Sequence, residues 1–127
     1  MTDVIRCSWG EISHIPKIYD TGYAVFARRK KPEIWFKCIS DKNEIQGVGC
    51  ILVLSKTSVR QSNIFVLPEF RGNGLAQKLV IELEVWARGS GYKRMDCRSV
   101  KKFYLDHGYK AIKEYKVGGW WFVKEIA

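Results

Sequence analysis

The spacing of apolar and polar residues changes several times along the 127-residue chain, and each change marks an element. Residues 4–9, Val4-Ile5-Arg6-Cys7-Ser8-Trp9, read as a first strand. Apolar residues at 12, 15, 18 and 19 give a short helical period over 12–19, interrupted by Pro16. Thr21-Gly22 marks a turn, and residues 23–28 and 33–39 read as strands. Asp41-Lys42-Asn43-Glu44 is a hairpin turn. Residues 45–55 form a long strand, in which Gly47 and Gly49 signal a bulge or close packing. Residues 59–67 pair with it as the next strand.

The most regular period lies downstream. Leu75, Leu79, Leu83 and Trp86 recur at steps of four, four and three, and Val80 and Ala87 widen the stripe. Residues 75–88 therefore predict a helix with one apolar face turned to a sheet. Glu84 and Arg88 are spaced to pair one turn apart. Gly89-Ser90-Gly91 ends the helix. A short strand over 93–97 follows, then a short helix over 100–107, capped by Ser99 and stopped by Gly108. Strands over 109–117 and 120–126, turned at Gly118-Gly119, close the chain. A β-α-β-α-β-β order after a run of hairpins predicts an α/β (α+β) fold. Its sheet is mixed and mostly antiparallel, with helices on its faces, in a single domain over 1–127.

Composition narrows the partners. The chain is 46% hydrophobic and 13% aromatic, enough to bury a core. Net charge is +9, from 22 Lys and Arg against 13 Asp and Glu. The basic clusters are Arg28-Arg29-Lys30-Lys31, Lys93-Arg94, and Arg98 with Lys101-Lys102. Such a balance favours anionic partners. A polyanionic cofactor is favoured over nucleic acid, because no RNP-like or helix-turn-helix signature accompanies the clusters. Cys7, Cys38, Cys50 and Cys97 are scattered, with no CxxC and no ligand spacing to His14 or His107. They read as reduced thiols, with no metal site. Nothing at the N-terminus resembles a signal peptide, and no apolar run approaches the ~20 residues that span a bilayer. These features predict a cytoplasmic protein without a membrane partner.

The candidate chemistry begins at Arg71-Gly72-Asn73-Gly74-Leu75-Ala76. This turn joins the strand ending Ile64-Phe65-Val66-Leu67 to the long helix, by way of Pro68-Glu69-Phe70. Helix N-termini carry unsatisfied N–H groups and the positive pole of the helix dipole, so phosphate oxygens fit there. Gly72 and Gly74 permit close backbone approach, and Arg71 adds a charged, forked donor. A P-loop would need Gly-Lys-Ser/Thr, which is absent. A dinucleotide fingerprint would need a third glycine where Gln77 stands. A phosphate site and a plain structural turn remain.

The stretch Val66-Leu67-Pro68-Glu69-Phe70-Arg71-Gly72-Asn73-Gly74-Leu75-Ala76 resembles the acetyl-CoA pyrophosphate loop of the GNAT acyltransferases. Arg71, Gly74 and Ala76 fill the pattern of Arg or Gln, two residues, Gly, one residue, then Gly or Ala. Phe103-Tyr104-Leu105-Asp106-His107-Gly108-Tyr109 resembles the second signature of that family, F-Y-x-x-x-G-[FY]. Both motifs lie within 64–109 and in the expected order. The resemblance implies a sheet splayed around acetyl-CoA as co-substrate, with no metal. It places Phe65, Val66, Arg71, Gly72, Asn73, Gly74, Leu75 and Ala76 at the cofactor. It also places Tyr104 beside the thiolate of departing CoA, where a hydroxyl donates a proton or hydrogen bond. The competing reading of Tyr104 is a core tyrosine, since Val100, Phe103 and Tyr104 share a helix face.

Three departures from that family stand out. The strand before the loop, Gln61-Ser62-Asn63-Ile64-Phe65, lacks the glutamate that many relatives use as general base. His107 and Glu69 are poor substitutes, and no base is assigned. Cys97 stands where an asparagine often precedes the second signature. The region before Gly22 has room for one small helix, which fits an open acceptor site, a large substrate or completion by a second subunit. The resemblance implies an N-acyltransferase acting on an amine-bearing acceptor, free or carried on a macromolecule. The alternatives are an enzyme directed to nucleic acid or aminoacyl-tRNA, and a catalytically silent CoA-binding module. A homodimer is compatible with the sequence. Of Trp120 and Trp121, strand alternation predicts one buried and one exposed or at an interface.

Overall fold

The computed structural model describes residues 2–15, 33–99 and 102–127. Strand β1 (Thr2–Cys7) stops where Ser8-x-x-Glu11 forms a capping box, and helix α1 (Trp9–Ile12) follows. The Ser8 N–H donates to Glu11 Oε2 at 2.6 Å, which turns the chain out of its strand. The first strand is thus two residues shorter at its end than residues 4–9 suggest. The helical turn precedes the predicted 12–19 segment; Ile12 and Ile15 are buried beneath it. The remainder of that segment, the predicted 23–28 strand and the 28–31 basic cluster lie outside the described residues.

Strands β2 (Glu33–Ser40), β3 (Ile45–Val53) and β4 (Ser58–Val66) form antiparallel hairpins. The first turns at Asn43, held at φ 60°. A 3₁₀ turn (Pro68–Phe70) leads to helix α2 (Leu75–Gly89), then β5 (Arg94–Ser99). A second 3₁₀ segment (Lys102–His107) precedes β6 (Lys110–Glu114) and β7 (Trp120–Glu125). Ser99, predicted as a helix cap, instead ends β5 and pairs with Trp120. Among the described residues the sheet has seven strands, in the order β1-β2-β3-β4-β5-β7-β6. Among the described strands only β4 and β5 pair in parallel, as a crossover through α2 requires.

The strands alternate between two cores. Phe36, Ile51 and Val59 face α2, where they meet Val80, Leu83 and Ala87. Trp35, Val48, Cys50 and Leu52 face the other way, against Ile12 and Ile15. The helix sits close to β3 because that strand has no side chains beneath it at two positions. A Cβ on Gly47 would lie 2.9 Å from the Phe65 carbonyl oxygen, and one on Gly49 would lie 2.9 Å from Ile64 Cδ1. Leu79 and Leu83 fill the space instead. The close-packing reading of both glycines holds. A bulge also occurs opposite Gly49, on β4, where Asn63 takes φ 54° and the register with β3 shifts.

The apolar stripe of α2 follows its period, with Leu75, Leu79, Val80, Leu83 and Ala87 buried; Trp86 is only half-buried, at the edge of the stripe against Phe36. Glu84 is buried on that stripe too, and it does not pair with Arg88. Its carboxylate receives Lys124 Nζ from β7 at 2.8 Å. Trp120 and Trp121 are both half-buried, unlike the predicted buried and exposed pair. Trp120 packs against Phe122, and the Trp121 indole donates to Asp96.

Candidate active site

The sheet splits between β4 and β5. They pair at Ser58↔Arg94, Val59↔Met95 and Arg60↔Asp96, and no further. Beyond those three rungs β4 continues to Val66 and β5 to Ser99 without facing each other. Leu67 N–H bonds Gln46 O across to β3. By antiparallel alternation, the backbone groups of Val66 then point away from β3, into the split. Its carbonyl is taken by Arg71 Nε at 2.8 Å, and the Arg71 guanidinium lies 5.3 Å from the Phe65 ring centre.

The glycine loop stands at the open end of the split. Gly74 occupies the N-cap of α2 at φ 76°, and Gly72 has φ 86°. The first backbone bond of α2 runs from Lys78 N–H to Gly74 O, which leaves the N–H groups of the preceding turn without helical acceptors. No acidic residue in the first turn offsets the dipole. A Cβ on Gly72 or Gly74 would meet nothing within 4 Å, so the cradle is empty space. Asn73 Nδ2 ties the loop to Phe70 O at 3.1 Å. Glu69 is exposed, as expected of a solvated loop acid.

Tyr104 lies at the closed end. It is buried among Phe103, Tyr109 and Phe122, and its hydroxyl donates to Gln61 Oε1 at 3.2 Å. Gln61 is the first β4 residue past the last rung. Burial pushes the Tyr104 phenol above its usual range, reinforced by neighbouring Cys97 and Glu84. Burial also pushes the Cys97 thiol up to about 12; Asp96 adds to the rise, and the Tyr104 hydroxyl opposes it. Both groups thus keep their protons at neutral pH. His107 Nδ1 contacts Phe103 O at 2.7 Å, a local bond that makes it a structural residue.

On the opposite face, Arg60 holds Asp96 with two bonds, Nε to Oδ1 at 2.7 Å and an outer nitrogen to Oδ2 at 2.9 Å. Trp121 Nε1 donates to the same Oδ2 at 2.8 Å. Gln61 and Glu84 escaped sequence reasoning, although each left a signal. Val59, Gln61 and Asn63 alternate as inward positions of β4, and two of them are polar. Val80, Glu84 and Ala87 fall on one helical stripe, and an acid there calls for a buried partner.

The acetyltransferase (GNAT) domain family matches residues 31–111, which include the loop, α2 and the 103–109 segment. The chain belongs to this family and is an acyltransferase. No curated protein matches the sequence. Among solved structures, the fold is similar to a Klebsiella pneumoniae protein assigned as an acyl-CoA N-acyltransferase. That pair has a TM-score of 0.81 at 17% identity, over 100% of this chain and 99% of the other. PaiA N-acetyltransferase from Thermoplasma acidophilum, solved with coenzyme A, gives 0.75 at 9% identity over 98% and 99%. N-acetylglutamate synthase from Neisseria gonorrhoeae, solved with coenzyme A and L-arginine, gives 0.72 at 15%. There the match spans 98% of this chain and 33% of the synthase.

Proposed function

We propose that this chain is an acetyl-CoA-dependent N-acyltransferase that acts on an amine-bearing acceptor. The observation that carries the reading is the split between β4 and β5, with an open helix N-terminus at one end and a buried phenol at the other. The pyrophosphate of CoA fits the N–H groups of the loop, with Arg71, Gly72, Asn73, Gly74, Leu75 and Ala76 around it. The amide-bearing arm of CoA fits along Phe65 and Val66, where β4 has lost its neighbour. Bound acetyl-CoA supplies an activated acyl carbon.

The amine nitrogen attacks that carbon, the C–N bond forms and the C–S bond breaks. The electron pair leaves with sulfur, and the Tyr104 O–H supplies a proton or hydrogen bond to it. A raised phenol pKa keeps Tyr104 protonated until charge develops on sulfur. The proton that the attacking amine sheds passes to water, and water returns a proton to Tyr104 when the phenol has given its own to sulfur. The proposal extends to an amine carried on a macromolecule and to a homodimer; an enzyme directed to nucleic acid or aminoacyl-tRNA is the less favoured alternative. Calorimetry with CoA, paired with a mass-shift assay of acetyl-CoA against amines, peptides and tRNA, tests the reading. Tight CoA binding without any acetylated product would favour a silent binding module. No CoA binding would sink the whole reading.

A further inference from the structure

We propose that the Glu84 carboxylate, acting through Tyr109 and Gln61, fixes the direction in which the Tyr104 hydroxyl points its proton. The inference rests on the reading of Tyr104 as the group beside the CoA sulfur.

The relay has one allowed polarity. Lys124 Nζ donates to Glu84 Oε1 at 2.8 Å, and Tyr109 O–H donates to Glu84 Oε2 at 2.6 Å. A carboxylate only accepts, so the single proton of Tyr109 is committed to Glu84. The Tyr109 oxygen then accepts, and Gln61 Nε2 donates to it at 2.6 Å, with Met95 Sδ 3.3 Å from the same nitrogen. Gln61 must therefore present Oε1 to Tyr104, whose hydroxyl donates to it at 3.2 Å. Turning the amide over would set Oε1 against an oxygen without a proton, in a buried site where that mismatch costs most. The relay crosses α2, β4 and β7, and Cys97 on β5 is the other titratable neighbour of the hydroxyl.

A carboxylate on the inward stripe of α2 also costs desolvation that an apolar residue would avoid. Its return is a resting enzyme whose Tyr104 proton is engaged by a neutral acceptor. Anionic sulfur is the stronger acceptor, so the proton turns to it only once the C–S bond breaks. Gln61, Tyr109 and Glu84 are positioning residues in this scheme.

Glu84→Gln tests it. Lys124 would hold the new amide oxygen, so the amide NH₂ would face Tyr109 and reverse every bond in the relay. Tyr104 would then accept from Gln61 and have its proton free for sulfur. The readout is the thiol pKa of bound CoA, followed by thiolate absorbance in the ultraviolet against protein alone. Burial pushes the Cys97 thiol up to about 12 and the Cys7 thiol up to about 11, and raises Cys38 as well, away from an ordinary alkyl thiol at about 8.5; the curve of the protein without CoA removes what the four cysteines contribute. The expected result is a rise of about threefold or more in the acid dissociation constant of the bound thiol. Loss of a nearby negative charge also favours thiolate, so the same change is made in Tyr104→Phe. There the excess should vanish. Tyr109→Phe, which leaves the charges intact, should move the thiol in the same direction by less. Equal shifts in both Tyr104 backgrounds would overturn the relay alone. A bound thiol unmoved by Tyr104→Phe would overturn the reading of Tyr104, and the relay with it.

Discussion

Arg60 and Asp96 are the last facing residues of β4 and β5, and their side chains clasp each other where the strands part. Asp96 is 4% exposed, and its second oxygen also takes the Trp121 indole. The clasp therefore fixes three strands at the apex of the split. Asp96→Asn keeps the shape but removes the charge from a partly buried pair. It should cost about 1–2 kcal/mol, discounted because the Arg60 side chain is 25% exposed. Urea unfolding measures this, and an unchanged midpoint would show that the clasp does not hold the apex.

Gly74→Val should weaken CoA binding at least tenfold, about 1.4 kcal/mol. A branched Cβ at φ 76° is strained, and it would project into the empty cradle that phosphate needs. Because no protein atom lies within 4 Å, the variant should still fold. Calorimetric titration with CoA checks both points, and wild-type affinity would remove the loop from the cofactor site.

Alkaline stability follows from the buried thiol. The Cys97 pKa rises from 9.0 in the unfolded reference to about 12 in the fold. Its contribution is complete below pH 9.0 and is lost as pH climbs toward 12. The loss runs at about 1.4 kcal/mol per pH unit in that window. Tyr104 and Tyr109 shift in the same direction and steepen the fall above pH 10.0. Melting curves from pH 7 to 11 should show Cys97→Ala declining less steeply than wild type. Parallel declines would mean that the thiol titrates normally.

The acceptor should be neutral or acidic overall. With a net charge of +9, the field of the protein repels a free polyamine. Comparing kcat/KM for spermidine and for an amine on an acidic peptide, at low and moderate salt, tests this. A preference for spermidine at low salt would refute the electrostatic argument and leave the acyltransferase reading standing.

The loop, α2 and the order of elements that follows them along the chain were legible because each rests on local rules. The Leu75–Leu79–Leu83 period, the glycines at 72 and 74, and the Gly118-Gly119 turn announce their elements without help from the rest of the chain. Ser8 and Glu11 have the spacing of a capping box, a signal that the strand-like run over 4–9 masks. Glu84 was misread because residue spacing offered Arg88 as a partner, while the true partner, Lys124, arrives from a strand 40 residues away. Gln61 was passed over for the same reason. Its three neighbours lie 34, 43 and 48 residues off in sequence, and no spacing rule reaches that far.

The bare surface of β3 at Gly47 and Gly49 has a consequence for how this protein can change. The depth at which α2 beds into the sheet decides where its first turn stands, and that depth is set by two missing methyl groups. Selection on grip for a nucleotide cofactor would therefore act on positions that never touch it. Conversely, a drift from glycine to alanine there would press on β4 at Ile64 and Phe65 and on Leu79 and Leu83 of α2, and so retune the site at a distance, with every residue of the loop still in place.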